Sequence, residues 1–195
     1  MSRRKPRVPV RLDDRGIGRL SDDEIRIILR GADDLITLGG RTLLAKLLKG
    51  SKEKMLLDRE LDRSPVYGAL RDLNLSEIQA RIDWLILNGF LRIQYDGRLP
   101  LLVYTPTGWA IERETYTTEW LNRIDGALDH TGEPVAPTEL NVLNREVILQ
   151  LLDRIEASGD PKYRAFLKTW SRDTMKKVRH RITRVLAALG GTGSS

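Results

Sequence analysis

Apolar residues recur at three- and four-residue spacing along most of the chain, and the helical rhythm is broken once by a short β-like pair. The first periodic segment opens at Leu20-Ser21-Asp22-Asp23-Glu24-Ile25. Ser21 and Glu24 have capping-box spacing there, and Leu20 with Ile25 fits a hydrophobic staple. A helix is expected from this point to about Leu29, with Gly31 helping to end it. Gly39-Gly40 opens a second helix, Arg41 to about Lys49, with Leu43, Leu44, Leu47 and Leu48 at helical spacing and Gly50 at its close. Lys52 to Asn74 is mixed and charged, with Pro65 in the middle, and reads as a long connection with a short helix around Leu56-Leu57. A third helix follows. Ser76 and Gln79 repeat the capping-box spacing, Ile78, Ile82, Leu85 and Ile86 form its stripe, and Asn88-Gly89 is its stop.

The pattern then changes period. Phe90 to Tyr95 reads as a strand, Asp96-Gly97 begins a turn, and Leu101 to Thr105 reads as the return strand. Thr107-Gly108-Trp109 starts another helix, expected to reach about Tyr116. Three helices, a hairpin and a helix is the winged helix-turn-helix arrangement. Beyond it, Gly126, Gly132, Pro134 and Pro137 mark a linker. Val147, Ile148, Leu151, Leu152 and Ile155 form a new stripe ended by Ser158-Gly159. Asp160-Pro161 is read as an N-cap with proline at the first helical position, opening a short helix to about Trp170. Asp173 is read as the cap of a last helix with Val178, Ile182, Val185, Leu186 and Leu189 on one face. The expected fold is mainly α with a small β-hairpin wing, an α+β winged helix-turn-helix, followed by a C-terminal helical module. The expected boundaries are a flexible basic arm at 1–19, the winged-helix domain at 20–125, a linker at 126–143, the helical module at 144–189 and a disordered tail at 190–195.

Composition narrows the chemistry. The 195 residues include no cysteine and two histidines, His130 and His180. Disulfides, thiolate nucleophiles, iron–sulfur clusters and Cys-ligated zinc are thereby excluded, and a His-rich metal site is not expected. The longest apolar runs, such as Trp84 to Leu87, fall far short of a membrane span, and the basic start has no apolar stretch behind it, so a secretion signal is not expected. The chain reads as cytoplasmic and nucleoid-associated, with no membrane partner. The formal charge of +6 is unevenly spread: residues 1–19 carry +5, residues 20–118 carry −1 and residues 119–195 carry +2. A basic excess of this kind favours polyanions, but the middle of the chain must contact them through local clusters.

The stretch from Ile28 to about Thr115 resembles the RQC domain, the winged helix C-terminal to the motor of RecQ-family DNA helicases. The likeness rests on Leu48-Lys-Gly-Ser51, Val66-Tyr-Gly68, Ile86-Leu-Asn-Gly-Phe-Leu91 and Val103-Tyr-Thr-Pro-Thr-Gly108. The chain is also similar to small bacterial RQC-like proteins without a motor, the RQC-minor group. The departures are the missing Gly-x-x-x-x-Gly-Lys-[Ser/Thr] loop of an NTPase and the missing zinc-binding cysteines. What the resemblance implies is a DNA-binding protein without ATP hydrolysis, cofactor or catalytic residues, recognising duplex ends, forks or junctions in repair or recombination. A helix-turn-helix transcription regulator reading an operator, and an adaptor docking a helicase or repair enzyme, stand as alternatives.

Thirteen residues are candidates for DNA contact. Lys49, Ser51, Lys52 and Lys54 cluster past the second helix, where the resemblance implies a grip on backbone phosphates; hydroxyl and ammonium groups suit phosphate oxygens. Arg98 and Leu99 mark the wing, which the resemblance implies can act as a wedge. Leu99 lacks the π-face on which a base stacks, so a phosphate or groove contact from Arg98 fits better than strand separation. Ser76, Gln79 and Arg81 lie on the third helix, which a helix-turn-helix reader would place in the major groove, and Arg41 begins the second. The last helix adds Lys177, Arg181 and Arg184 within a run that nets +5 from Arg172 to Arg184. Trp84, Trp109, Trp120 and Trp170 are expected in cores rather than as stacking platforms.

Overall fold

The computed structural model describes residues 7–36 and 38–190. The chain divides into two compact units between Glu112 and Arg113. The first contains α1 (Asp22–Asp33), α2 (Arg41–Lys49), α3 (Lys54–Leu57), a 3-10 turn (Leu61–Arg63), α4 (Leu75–Leu87), strands β1 (Leu91–Asp96) and β2 (Leu99–Tyr104), and the opening turns of α5 (Pro106–Leu128). Its core includes the fully buried Ile28, Leu29, Leu44, Leu47, Leu48, Ile78, Ile82 and Leu85; those of α2 and α4 belong to the stripes read from the sequence.

The capping box of α1 forms as expected. The Glu24 amide donates to Ser21 Oγ at 3.2 Å, and the Ser21 amide donates to the Glu24 carboxylate at 3.1 Å. The helix runs past Gly31, however, to Asp33. Gly31 is there for close packing, since a Cβ would sit 3.1–3.3 Å from Leu44, Leu48 and Val66. The start of α4 also differs from expectation. Its N-cap is Asn74, whose side chain accepts the Glu77 amide at 3.0 Å while Glu77 accepts the Asn74 amide at 2.7 Å. Asn and Glu fill the two roles of the capping box, and Ser76 only donates its hydroxyl to Asn74 Oδ1.

The wing is an antiparallel hairpin in which Asp96 pairs with Leu99, so Gly97 and Arg98 alone form the turn. Gly97 is left-handed at φ +56°, and Leu99 and Pro100, expected in the loop, belong to β2. The Thr105-Pro-Thr-Gly108 segment turns the chain into α5. Thr105 Oγ1 donates to Gly89 O at 2.6 Å and accepts the Gly108 amide at 3.2 Å. Gly108 is needed because a Cβ would fall 2.0 Å from Phe90 O. Beneath the start of α5, the buried Arg30 pairs with Asp34 at 3.2 Å and lies 4.0 Å from the fully buried Glu112.

Instead of stopping near Tyr116, α5 continues to Leu128. No glycine or proline interrupts it between Trp109 and Asp125, and Trp120 and Ile124 are buried in the second core. The second unit adds a 3-10 turn (Pro137–Val142), α6 (Arg145–Ser158), α7 (Tyr163–Arg172) and α8 (Lys176–Ala188). The predicted stripe of α6 is buried in full, and Gly159, left-handed at φ +64°, ends it. The stretch 126–143 read as a linker holds the last turn of α5 and the 3-10 turn, and it buries Leu140. Asp160 accepts the Lys162 amide at 2.8 Å, so α7 begins two residues later than Pro161. Asp173 ends α7, and the N-cap of α8 is Met175. Trp84, Trp120 and Trp170 are buried, while Trp109 is half-buried. No helix among the described residues is long and apolar enough to cross a membrane.

Candidate nucleic-acid interface

Two glycines meet where α2 ends. Gly50 is left-handed at φ +76° and Gly68 at φ +69°, and a Cβ on Gly50 would lie 3.1 Å from Gly68 Cα. The crossing is tied by backbone bonds from Gly68 N to Leu47 O (3.0 Å) and from Leu70 N to Leu48 O (2.9 Å), and the Tyr67 hydroxyl donates to Ser51 O at 2.9 Å. The Lys-Gly-Ser and Tyr-Gly segments are therefore one structural device. It sets the path on which residues 51–54 leave α2, so the lysines beyond it start from a defined backbone.

The basic residues of this loop have different partners. Lys49 Nζ donates to the Leu73 and Arg71 carbonyls, at 2.8 Å for Leu73, and so ties α2 to the segment before α4. Glu53, the acid between Lys52 and Lys54, is held by Lys46 at 2.7 Å. Ser51 Oγ accepts the Glu53 amide at 3.4 Å. Lys52 and Lys54 are exposed, and their side chains make no hydrogen bond or ion pair among the described residues.

The polar face of α4 is stitched to its neighbours. Arg81 Nε donates to Glu24 at 2.8 Å. Partial burial pushes the Glu24 carboxyl up, but hydrogen bonds from Arg81 and from Ser21 outweigh it and hold the group below the usual carboxylate range. Asp83 is buried against Arg41 and also accepts the Asp13 amide at 2.9 Å. Gln79 is half-buried, and its side chain makes no hydrogen bond among the described residues.

At the wing, Leu99 is 62% exposed. The segment read as a flexible arm is described from residue 7, and residues 1–6 lie outside the described residues. Over 7–19 it has no helix or strand but lies along the wing and α4. Val8 N donates to Arg98 O at 3.2 Å, the Tyr95 hydroxyl donates to Val8 O at 2.9 Å, and the Arg7 guanidinium stands 4.8 Å over the Tyr95 ring. Between this segment, α2 and β2 opens a groove of about 470 Å³ with Leu38, Met55 and Leu99 at its mouth. The C-terminal candidates separate as well: Arg181 bonds to Glu156 and Asp153, both at 2.6 Å, which favours its charged form, whereas the exposed Lys177 and Arg184 side chains make no hydrogen bond or ion pair among the described residues.

Residues 24–119 match the family described as the RQC domain. The chain carries an RQC-type domain. Over 69 residues it is 35% identical to the ATP-dependent DNA helicase RecQ of Bacillus subtilis (strain 168), a stretch that covers 35% of this chain and 12% of that protein. No solved structure gives a significant match. In the RQC-type domain of this chain, the quoted motifs serve the Gly50–Gly68 crossing and the Gly108 approach, and the exposed lysines sit beside the first of them. Sequence reasoning missed the Arg41–Asp83 and Arg81–Glu24 pairs, because ion pairs between residues 42 and 57 positions apart leave no local pattern. Among the described residues no group of three or more His, Asp or Glu could hold a metal ion.

Proposed function

We propose that the RQC-type domain binds DNA through backbone phosphates, with Lys52 and Lys54 as the principal cations and the wing tip at Arg98 and Leu99 as a second contact. The chain acts by binding rather than catalysis, and prefers duplex ends, forks or junctions to an operator sequence. The observation that carries this reading is the division of the basic loop: Lys49 and Lys46 are engaged within the fold, whereas the Lys52 and Lys54 side chains, beside the glycine crossing, are exposed and make no hydrogen bond or ion pair among the described residues. The similarity to a DNA helicase through this domain supports the same substrate. Base reading by α4 is disfavoured, since Arg81 would have to leave the Glu24 carboxylate to reach the bases. Leu99 offers an aliphatic surface at the wing, which suits contact with the end of a duplex more than stacking between bases.

The double substitution Lys52→Gln/Lys54→Gln tests the reading. Each lost phosphate contact lowers the slope of log K against log salt by about 0.9, so the variant should bind duplex DNA more weakly and with a slope flatter by about 2 in fluorescence anisotropy. An unchanged affinity and slope would place the interface elsewhere.

A further inference from the structure

The cations of the second unit fall into two groups. Arg113 pairs with Glu146 at 3.1 Å, Arg123 with Glu139 at 3.2 Å, Lys162 with Asp125 at 2.9 Å, and Arg154 with Glu114. On α8, Arg181 is held by Asp153 and Glu156, and Arg179 donates to the carbonyls of Ser171 (2.8 Å), Arg172 (3.2 Å) and Thr174 (3.1 Å), which fastens α8 to the end of α7. The other exposed cations of α7 and α8 are Lys168, Arg172, Lys176, Lys177 and Arg184. None of their side chains makes a hydrogen bond or ion pair among the described residues. From Lys168 to Arg184 the sequence offers a single acid, Asp173.

We propose that the outward sides of α7 and α8 form a second surface for the phosphate backbone of a nucleic acid, with these five cations as its contacts. The proposal rests on the DNA-binding reading and adds a site to it. Lys177, His180 and Arg184 follow one another at three- and four-residue steps and so share a stripe of α8. The stripe from Lys177 to Arg184 is about 10 Å long at 1.5 Å per residue, and over that length of duplex axis one strand carries about three phosphates, at about 3.4 Å of axial rise each. Lys176 and Lys177 also occupy the first turn of α8, which holds no acid. Helix dipoles disfavour cations there, so these lysines gain nothing from their own helix. α1 does the reverse, with Asp22, Asp23 and Glu24 in its first turn. A lipid surface fits less well, because an interfacial helix buries an apolar face in the bilayer, and the apolar face of α8 (Val178, Ile182, Val185, Leu189) is already in the core of its own unit.

The test uses the full chain in three forms: wild type, Lys52→Gln/Lys54→Gln, and Lys168→Gln/Lys176→Gln/Lys177→Gln/Arg184→Gln. Each is titrated against a fluorescent duplex from low to moderate salt, with Arg145→Gln, an exposed cation at the start of α6, as control. The quadruple variant should lose at least about tenfold in affinity and flatten the salt slope by about 2–4, with its melting temperature held and the control unchanged. If the quadruple variant binds as wild type while the loop variant is weakened, the second surface is refuted and the first stands. If wild type binds no duplex, both fail. Wild-type flotation with phosphatidylglycerol vesicles that the quadruple variant loses, at unchanged duplex affinity, would assign the surface to lipid and overturn the proposal.

Discussion

Gly50 and Gly68 are both left-handed and so close that a Cβ added to either would lie 3.1–3.5 Å from the other's Cα. Gly50→Ala adds a Cβ against Gly68 Cα and forces an L-residue to φ +76°, and should cost about 1–2 kcal/mol of stability from the backbone conformation alone. Urea denaturation measures it, and a loss below half a kilocalorie per mole would show that the crossing yields easily. Neighbouring lysines separate structure from binding more sharply. Lys49→Met removes donors from the Leu73 and Arg71 carbonyls and should lower stability by about 1 kcal/mol. Lys52→Gln should leave stability within about 0.5 kcal/mol and weaken DNA binding. Paired denaturation curves and anisotropy titrations check both, and a reversed pattern would exchange the two roles. Sequence placed both lysines in one cluster. What it could not show is which of them finds carbonyls 22 and 24 residues away, because that depends on where the chain returns after α3.

Among the elements, α4 was legible in its stripe and less so in its start and its polar face. Asn74 rather than Ser76 caps it, since both positions have cap chemistry and the choice is made by Glu77. Gln79 and Arg81 suit a helix-turn-helix reader, yet Arg81 and Asp83 fasten the helix to α1, α2 and the segment at Asp13. The length of α5 was underestimated because its threonines break the apolar rhythm without breaking the helix. A pH prediction belongs here. The Glu24 carboxyl is held below its usual 4.5 by Arg81 and Ser21, so its contribution is complete above the unfolded value and is lost as pH falls through the lower folded value. Glu24→Gln should therefore lower stability at pH 7 and flatten the decline in acid. Denaturation midpoints for both proteins between pH 7 and pH 3 decide it; parallel curves would show that Glu24 is not coupled to folding.

On the scale of the molecule, behind the sequence charge of +6 the described cations divide into a set engaged with carboxylates or carbonyls and a smaller set whose side chains make no hydrogen bond or ion pair among the described residues. The winged-helix order was readable because each stripe, stop and turn is local. The outcome for each cation was not, because long side chains on neighbouring elements compete for the same acids. In the proposed reading, affinity belongs to Lys52, Lys54 and the face of α7 and α8, and shape preference to the wing, whose tip carries Leu99. The most direct measurement is anisotropy of the full chain with a blunt-ended duplex, a fork and a covalently closed circle of the same sequence at ~150 mM salt. The account predicts tighter binding to the fork and the blunt end than to the circle. Equal binding to all three would contradict it.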